Sequence, residues 1–188
     1  MHIAGLLMAA GAGRRFGGRK QLALIDNKPL VSRTLEVMAA VFTEQPYIVL
    51  GAHREDIRPL VADIAHVIDH PDWQQGLGSS IACGVAAIEA RQQYDGILVS
   101  LADQFRLTPD DFEQLIGRFD GDRIVAAYYE NRPGVPAIFP AAMFEQLKRL
   151  DTDHGAKSIL VSMQQEIVSL PIPTAEMDID TVGDIEQY

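Results

Sequence analysis

A chain of 188 residues, 47% apolar and 22% charged, has the size and make-up of one globular domain with a real core, so neither a second full domain nor disorder is expected. Its formal charge of -10 excludes the broad basic surface that general nucleic-acid or anionic-membrane binding requires, so any anionic ligand must be met locally. Its single cysteine, Cys83, allows no internal disulfide, and no apolar stretch is long enough to span a bilayer.

The first apolar run, IAGLLMA (3–9), predicts a buried strand. Arginines follow this run instead of preceding it, which is the wrong order for a signal peptide, and the expectation is a soluble cytoplasmic chain with no membrane or nucleic-acid partner. The run breaks into GAGRRFGGRK (11–20), where Arg14, Arg15, Arg19 and Lys20 gather four of the sixteen basic residues. PLVSRTLEVMAAVF (29–42) then predicts a helix with Pro29 in its first turn, YIVLG (47–51) a strand and REDIRPLVAD (54–63) a helix. AHVID (65–69) reads as a strand and SSIACGVAAIEARQQ (79–93) as a helix in which Cys83 is a small buried residue. GILVSLAD (96–103), TPDDFEQLIGRF (108–119, capped by Thr108) and RIVAAYY (123–129) read as strand, helix and strand.

After residue 130 the pattern loosens: PGVPAIFP, a helix over 140–150, DTDHGAKSILVSM, a strand EIVSLPI and a short helix from Thr181. No Gly/Ser or Pro-rich linker separates this part, so residues 1–188 are expected to form a single domain. Near-continuous apolar strands alternating with amphipathic helices predict an α/β fold: a doubly wound, mostly parallel sheet with helices on both faces. Ligands of such sheets sit at the carboxyl ends of the strands, which singles out the loops after residues 9, 69, 102 and 129.

The first of these loops matches neither common phosphate fingerprint. Gly11, Gly13 and Gly17 are spaced G-x-G-x-x-x-G with no acidic ribose reader, and Gly18 is followed by Arg19, Lys20 and Gln21 without the hydroxyl of a P-loop. A solvated surface turn is the plain alternative. Backbone amides beside Arg and Lys nevertheless make an anion site where the fold puts ligands.

MAAGAGRRFGGRK (8–20) resembles the L-A-A-G-x-S/G-x-R-x-G-x-x-K signature of nucleotidyltransferases of the sugar-nucleotide and molybdenum-cofactor type. HPDWQQGLGSS (70–80) is similar to the N-P-x-W-x-x-G-x-x-S-S segment of molybdenum cofactor cytidylyltransferases, in the MobA-like NTP transferase family. LADQF, GVPAIF, DHGAK and DIDTVGD resemble four further segments of that group, in order, so the resemblance spans essentially the whole chain. It implies the Rossmann-type fold of nucleotide-diphospho-sugar transferases. Phe105, His70, Val135 and Lys157 depart from the family pattern, the last two in the half associated with the second substrate.

The resemblance implies a magnesium-dependent transfer of CMP from CTP to a molybdopterin-type cofactor, with release of pyrophosphate. Lys20 would approach the α-phosphate and Arg15 the β- and γ-phosphates, while Ala10, Gly11, Ala12 and Gly13 cradle phosphate oxygens. Arg14 and Arg19 are flanking charges. Asp103, at the end of its strand, and Asp180 would hold Mg2+; a turn role for Asp103 and a cap role for Asp180 are the alternatives. Gly76, Gly78, Ser79 and Ser80 would read the nucleobase from a helix N-terminus, where Ser79 or Ser80 could equally act as N-cap. Trp73 is read as a packing anchor, and His53, His66 and His154 lack metal-ligand spacing. Two further readings stay open: another NTP or a sugar-phosphate acceptor, and a non-catalytic factor that delivers molybdenum cofactor to a molybdenum hydroxylase.

Overall fold

A computed structural model describes residues 1–151, 155–177, 179 and 182–185. In chain order the strands and helices are β1 (Ile3–Ala9), β2 (Leu24–Ile25), β3 (Lys28–Pro29), α1 (Leu30–Ala39), β4 (Tyr47–Leu50), α2 (Arg54–Val61), β5 (His66–Asp69), α3 (Leu77–Arg91) and β6 (Gly96–Leu101). They continue with α4 (Pro109–Arg118), β7 (Val125–Tyr129), β8 (Arg132–Pro140), α5 (Phe144–Leu147), α6 (Lys157–Ser162), β9 (Val168–Pro171) and α7 (Val182–Ile185). The main sheet has seven strands in the order β5-β4-β1-β6-β8-β7-β9, and β2 and β3 form a separate small hairpin.

The alternation of side chains along β1 shows why the sheet is covered twice. Ala4, Leu6 and Met8 join the core under α3, α5 and α6, with Ile81, Val85, Phe144 and Ile159. Leu7 and Ala9 face the opposite core, under α1, α2 and α4, with Leu35, Met38, Ile57 and Phe112. Burial of each such large side chain contributes about 1.5–3 kcal/mol, so both faces must be closed. The doubly wound α/β fold is therefore as the sequence predicts. So is the start of α4, where Thr108 Oγ1 accepts from Asp111 N–H, Asp111 Oδ2 accepts from Thr108 N–H, and Pro109 opens the first turn.

Three elements differ from expectation. Pro29, expected in the first turn of a helix over 29–42, instead ends β3, paired with Leu24, and is the N-cap of α1, which spans Leu30–Ala39. PGVPAIFP belongs to β8, which runs antiparallel between β6 and β7 in an otherwise parallel sheet. Glu130 and Asn131 adopt φ of 48° and 59°, the left-handed pair of a tight two-residue hairpin, and that turn forces the reversal. Its prolines hide the strand from pattern reading, but Pro133 and Pro140 sit at its ends and Pro136 in the irregularity opposite Ala126 and Ala127, where ladder donors are not needed. The helix expected over 140–150 is shorter, a 3-10 turn Ala141–Met143 running into α5.

Chain connection explains where a cleft opens. From β1 the chain moves outward through β4 to β5, then crosses back to place β6 on the other side of β1. All four strands are parallel, so the loops after β1 and β6 diverge above this reversal. Among the described residues, no helix is long and apolar enough to cross a membrane.

Gly84 lets α3 approach this part of the sheet, since a Cβ there would stand 2.9 and 3.0 Å from the two Leu6 methyls and 3.0 Å from Val49 Cγ2. Gly84→Val should therefore destabilise the fold by about 1–3 kcal/mol through overpacking. At about 2–4 °C per kcal/mol, thermal unfolding followed by circular dichroism should show a drop of several degrees. An unchanged melting temperature would mean that the helix is not seated so closely.

Candidate active site

Above the reversal lies an open cleft of about 580 Å³, lined by Met8 to Phe16, Lys20, Gln21, Leu30, Trp73, Gln74, Gly76, Leu77, Ser80 and Leu101 to Asp103. Its floor is the glycine loop that leaves β1. Gly13 has φ +63°, and a Cβ on it would lie 2.2 Å from Gly18 O, so this turn accepts only glycine. Gly18 N–H donates to Gly13 O at 3.1 Å and Gly17 N–H to Arg14 O at 3.2 Å, which closes the loop on itself. The amides of Gly11, Ala12 and Gly13 make no hydrogen bond among the described residues. Successive unpaired amides of this kind form a concavity for anionic oxygens.

Lys20 opens a 3-10 turn, Lys20–Leu22, at the end of the loop and is buried. Its Nζ lies 2.8 Å from Asp103 Oδ2, on the loop that follows β6. The other carboxylate oxygen, Asp103 Oδ1, is buried and has no hydrogen-bond partner. Asp103 is held from both sides. Ala102 N–H donates to Met8 O at 3.1 Å, and Thr34 Oγ1 on α1 donates to Ala102 O at 3.0 Å. Next to it Gln104, almost fully buried, donates through Nε2 to Val135 O (2.7 Å) and Ala175 O (2.9 Å) while its Oε1 accepts from Leu101 N–H (3.3 Å).

The third wall comes from residues 70–80. Gly76 has φ +111° and ends a 3-10 turn, Trp73–Gln75, and α3 starts behind it with its N-terminal dipole directed toward the cleft. Trp73 serves two purposes. Gly51 has no side chain because Trp73 Cβ and Cγ occupy the space 2.5 and 2.6 Å from where a Cβ would stand, and the indole also lines the cleft. The packing expected of Trp73 is present, together with a ligand-facing position.

Of the residues singled out from the sequence, Ala10, Gly11, Ala12, Gly13, Arg15, Lys20, Gly76, Ser80 and Asp103 line one cleft. Gly78 and Ser79 do not. Neither Ser79 nor Ser80 caps α3: both donate back to Gly76 O, at 2.9 and 3.2 Å, because they lie inside the first turn and Gly76 itself is the N-cap. Ser79 instead meets buried His70, whose Nε2 lies 3.0 Å away. Arg14 lines the cleft, whereas Arg19 turns outward to Asp56 at 3.5 Å, so the two flanking arginines are not equivalent. Phe105 is buried against Ile25, Leu30 and Ile179, on the far side of the Leu30 wall. Cys83 is half-buried rather than buried, and burial pushes its thiol up. Asp180, with Asp178, Asp153 and His154, lies outside the described residues. Sequence reasoning missed Gln21, Gln104 and Thr34; only adjacency to Lys20 and Asp103 hinted at the first two.

Residues 5–167 match the MobA-like NTP transferase domain. The chain belongs to this family. Its similarity to nicotine blue oxidoreductase of Paenarthrobacter nicotinovorans is 30% identity over 193 residues, covering 96% of this chain and 93% of that protein. Among solved structures it resembles Rv0371c from Mycobacterium tuberculosis H37Rv, with a TM-score of 0.85, 26% identity, and coverage of 100% of this chain and 96% of that one. Molybdopterin-guanine dinucleotide biosynthesis protein A from Archaeoglobus fulgidus shares the fold, with a TM-score of 0.68 at 20% identity over 98% and 95% of the two chains. The sheet of this MobA-like chain is thus that of the nucleotide-diphospho-sugar transferases, a Rossmann-like arrangement.

His70 provides a test of how the third wall is held. Burial is the main cause that pushes its imidazole below the ordinary 6.5, and the nearby Asp72 offsets this only in part. The folded chain keeps His70 neutral where the unfolded chain takes up a proton, so stability is complete above about pH 6.5 and falls as the pH drops below it. Asn at this position does not titrate and can still bond Ser79. His70→Asn should therefore lose less stability than the parent between about pH 7.5 and 5.5, as read by urea denaturation. Equal losses in both proteins would remove His70 as a source of acid sensitivity.

Proposed function

We propose that this chain is a magnesium-dependent cytidylyltransferase, which moves CMP from CTP onto the phosphate of a molybdopterin-type cofactor and releases pyrophosphate. The observation that carries this reading is the Lys20–Asp103 pair, 2.8 Å apart in the same cleft as the unpaired amides of Gly11 to Gly13. An oxygen of the acceptor phosphate attacks the α-phosphorus, the bond from that phosphorus to the bridging oxygen breaks, and that oxygen leaves with the pyrophosphate. Such a reaction needs positioning and charge neutralisation, not a protein nucleophile. The amides hold non-bridging oxygens, Lys20 follows the charge that develops at the α-phosphate, and Arg15 at the cleft mouth meets the β- and γ-phosphates.

The donor set suits a hard cation. Asp103 offers a carboxylate of which one oxygen is buried without a partner, an arrangement that a bound Mg2+ would complete. Asp103 would hold the ion, with Asp180 as the second ligand, and the bound ion would neutralise phosphate charge. A further structure of Rv0371c, with a TM-score of 0.80 at 24% identity, is a complex with manganese, which supports a divalent cation here. The base preference for CTP rests on the resemblance of GLGSS (76–80) to the cytidylyl group. A second reading, an oxidoreductase, is favoured by one observation, the 30% identity to nicotine blue oxidoreductase along 96% of this chain.

The single tryptophan lines the cleft, so its emission should change on titration with Mg2+ and CTP, and less with GTP or ATP. Tighter binding of GTP would overturn the cytidylyl assignment and keep the nucleotidyltransferase one. Lys20→Ala should lose about 10²–10³-fold in pyrophosphate release, whereas Arg19→Ala, whose side chain points to Asp56, should change it little.

Asp103→Asn keeps the shape and removes the charge, so it should abolish magnesium-dependent pyrophosphate release. If the parent released none, and both proteins still activated a molybdenum hydroxylase partner, the chain would be a delivery factor. If the parent instead changed the oxidation state of nicotine blue and transferred no nucleotide, the oxidoreductase reading would replace this one.

A further inference from the structure

Gln21 follows Lys20 directly and is buried in the wall of the cleft. Its Nε2 donates to Ala9 O at 3.2 Å and to Gly11 O, the two carbonyls that flank Ala10. Carbonyls only accept, so the amide nitrogen must face them, and Oε1 is turned elsewhere. That oxygen is buried without a hydrogen-bond partner. Among the described residues the only other buried side-chain polar atom in this state is Asp103 Oδ1, on the same cleft. An unmet buried acceptor opposes folding, and the two bonds of Nε2 to Ala9 O and Gly11 O offset it; methionine would fill the same volume but free both carbonyls.

What the carboxamide does achieve is orientation. In a trans peptide the carbonyl of one residue and the N–H of the next point in opposite directions. Tethering Gly11 O to Gln21 therefore aims the Ala12 amide away from Gln21, at the centre of the unpaired Gly11–Gly13 run. We infer that Gln21 is a positioning residue for triphosphate binding, which acts through the amides of the glycine loop and not by touching the reacting atoms. This inference rests on the nucleotidyltransferase reading of the cleft.

The test compares the parent with Gln21→Met and Gln21→Glu, by Trp73 fluorescence titration with Mg2+ and either CTP or inorganic tripolyphosphate, beside thermal unfolding. Gln21→Met should melt within a few degrees of the parent and bind tripolyphosphate about 10-fold more weakly, the scale of one lost hydrogen bond to a charged group. In Gln21→Glu the carboxylate has no donor and faces two carbonyl oxygens, whereas its protonated form carries one O–H. Its affinity relative to the parent should thus recover as pH falls from about 7.5 to about 5.5, rising above that of Gln21→Met, whose ratio to the parent stays constant.

A merely space-filling glutamine predicts no such recovery. If Gln21→Met does not fold, the pH response of Gln21→Glu decides alone. A folded Gln21→Met that binds as tightly as the parent, or a Gln21→Glu that never exceeds Gln21→Met, overturns the inference while the parent's binding preserves the reading beneath it. A parent that binds neither CTP nor tripolyphosphate overturns both.

Discussion

The contact of Lys20 Nζ with Asp103 Oδ2 joins the loops of two adjacent parallel strands over the reversal in strand order. Everything around it serves to bring these two charges from positions 83 residues apart to 2.8 Å. The register of β1 on β6 pairs Met8 with Leu101 at the last rung, so both loops leave the sheet at the same level. With side-chain exposures of 11% and 26%, the pair is shielded enough for its electrostatics to count and open enough for a ligand to reach it.

Around the pair, backbone carbonyls are bound by side-chain donors and several loop amides are left over. Gln21 takes Ala9 O and Gly11 O, Thr34 takes Ala102 O, and Gln104 takes Val135 O and Ala175 O. The bonds to Ala9 O, Gly11 O and Ala102 O occupy acceptors of cleft residues that would repel an anion, and the amides of Gly11 to Gly13 remain as a positive lining. In an acidic chain of net charge -10, anion binding is thus a local property of oriented peptides and a few cations, not of the overall field. Gln104 also ties the Asp103 loop to Ala175, near the segment that carries Asp178 and Asp180 in the sequence.

Much of the fold was legible because its signals are local. Apolar runs of four to seven residues, the Thr108 cap with Pro109 behind it and the glycines of the first loop each act within a few neighbouring residues. The antiparallel β8 was not legible, since its prolines argue against a strand until the irregularity opposite Ala126 shows where they sit. Ser79 and Ser80 read equally as caps or as ligand contacts; which carbonyl they meet depends on Gly76 taking φ +111°, and that is not evident from residue types.

Periodicity and turn chemistry act over short spans, so residue order alone sets the alternation of buried strands and two-faced helices, the concentration of cations after β1 and the placing of Asp103 at a strand end. Tertiary structure alone decided which of those cations turns inward: Lys20 to Asp103, Arg19 outward to Asp56. It also put Gln21 in the cleft wall and Gln104 behind the Asp103 loop, because a buried amide takes its meaning from the carbonyls that distant segments bring to it.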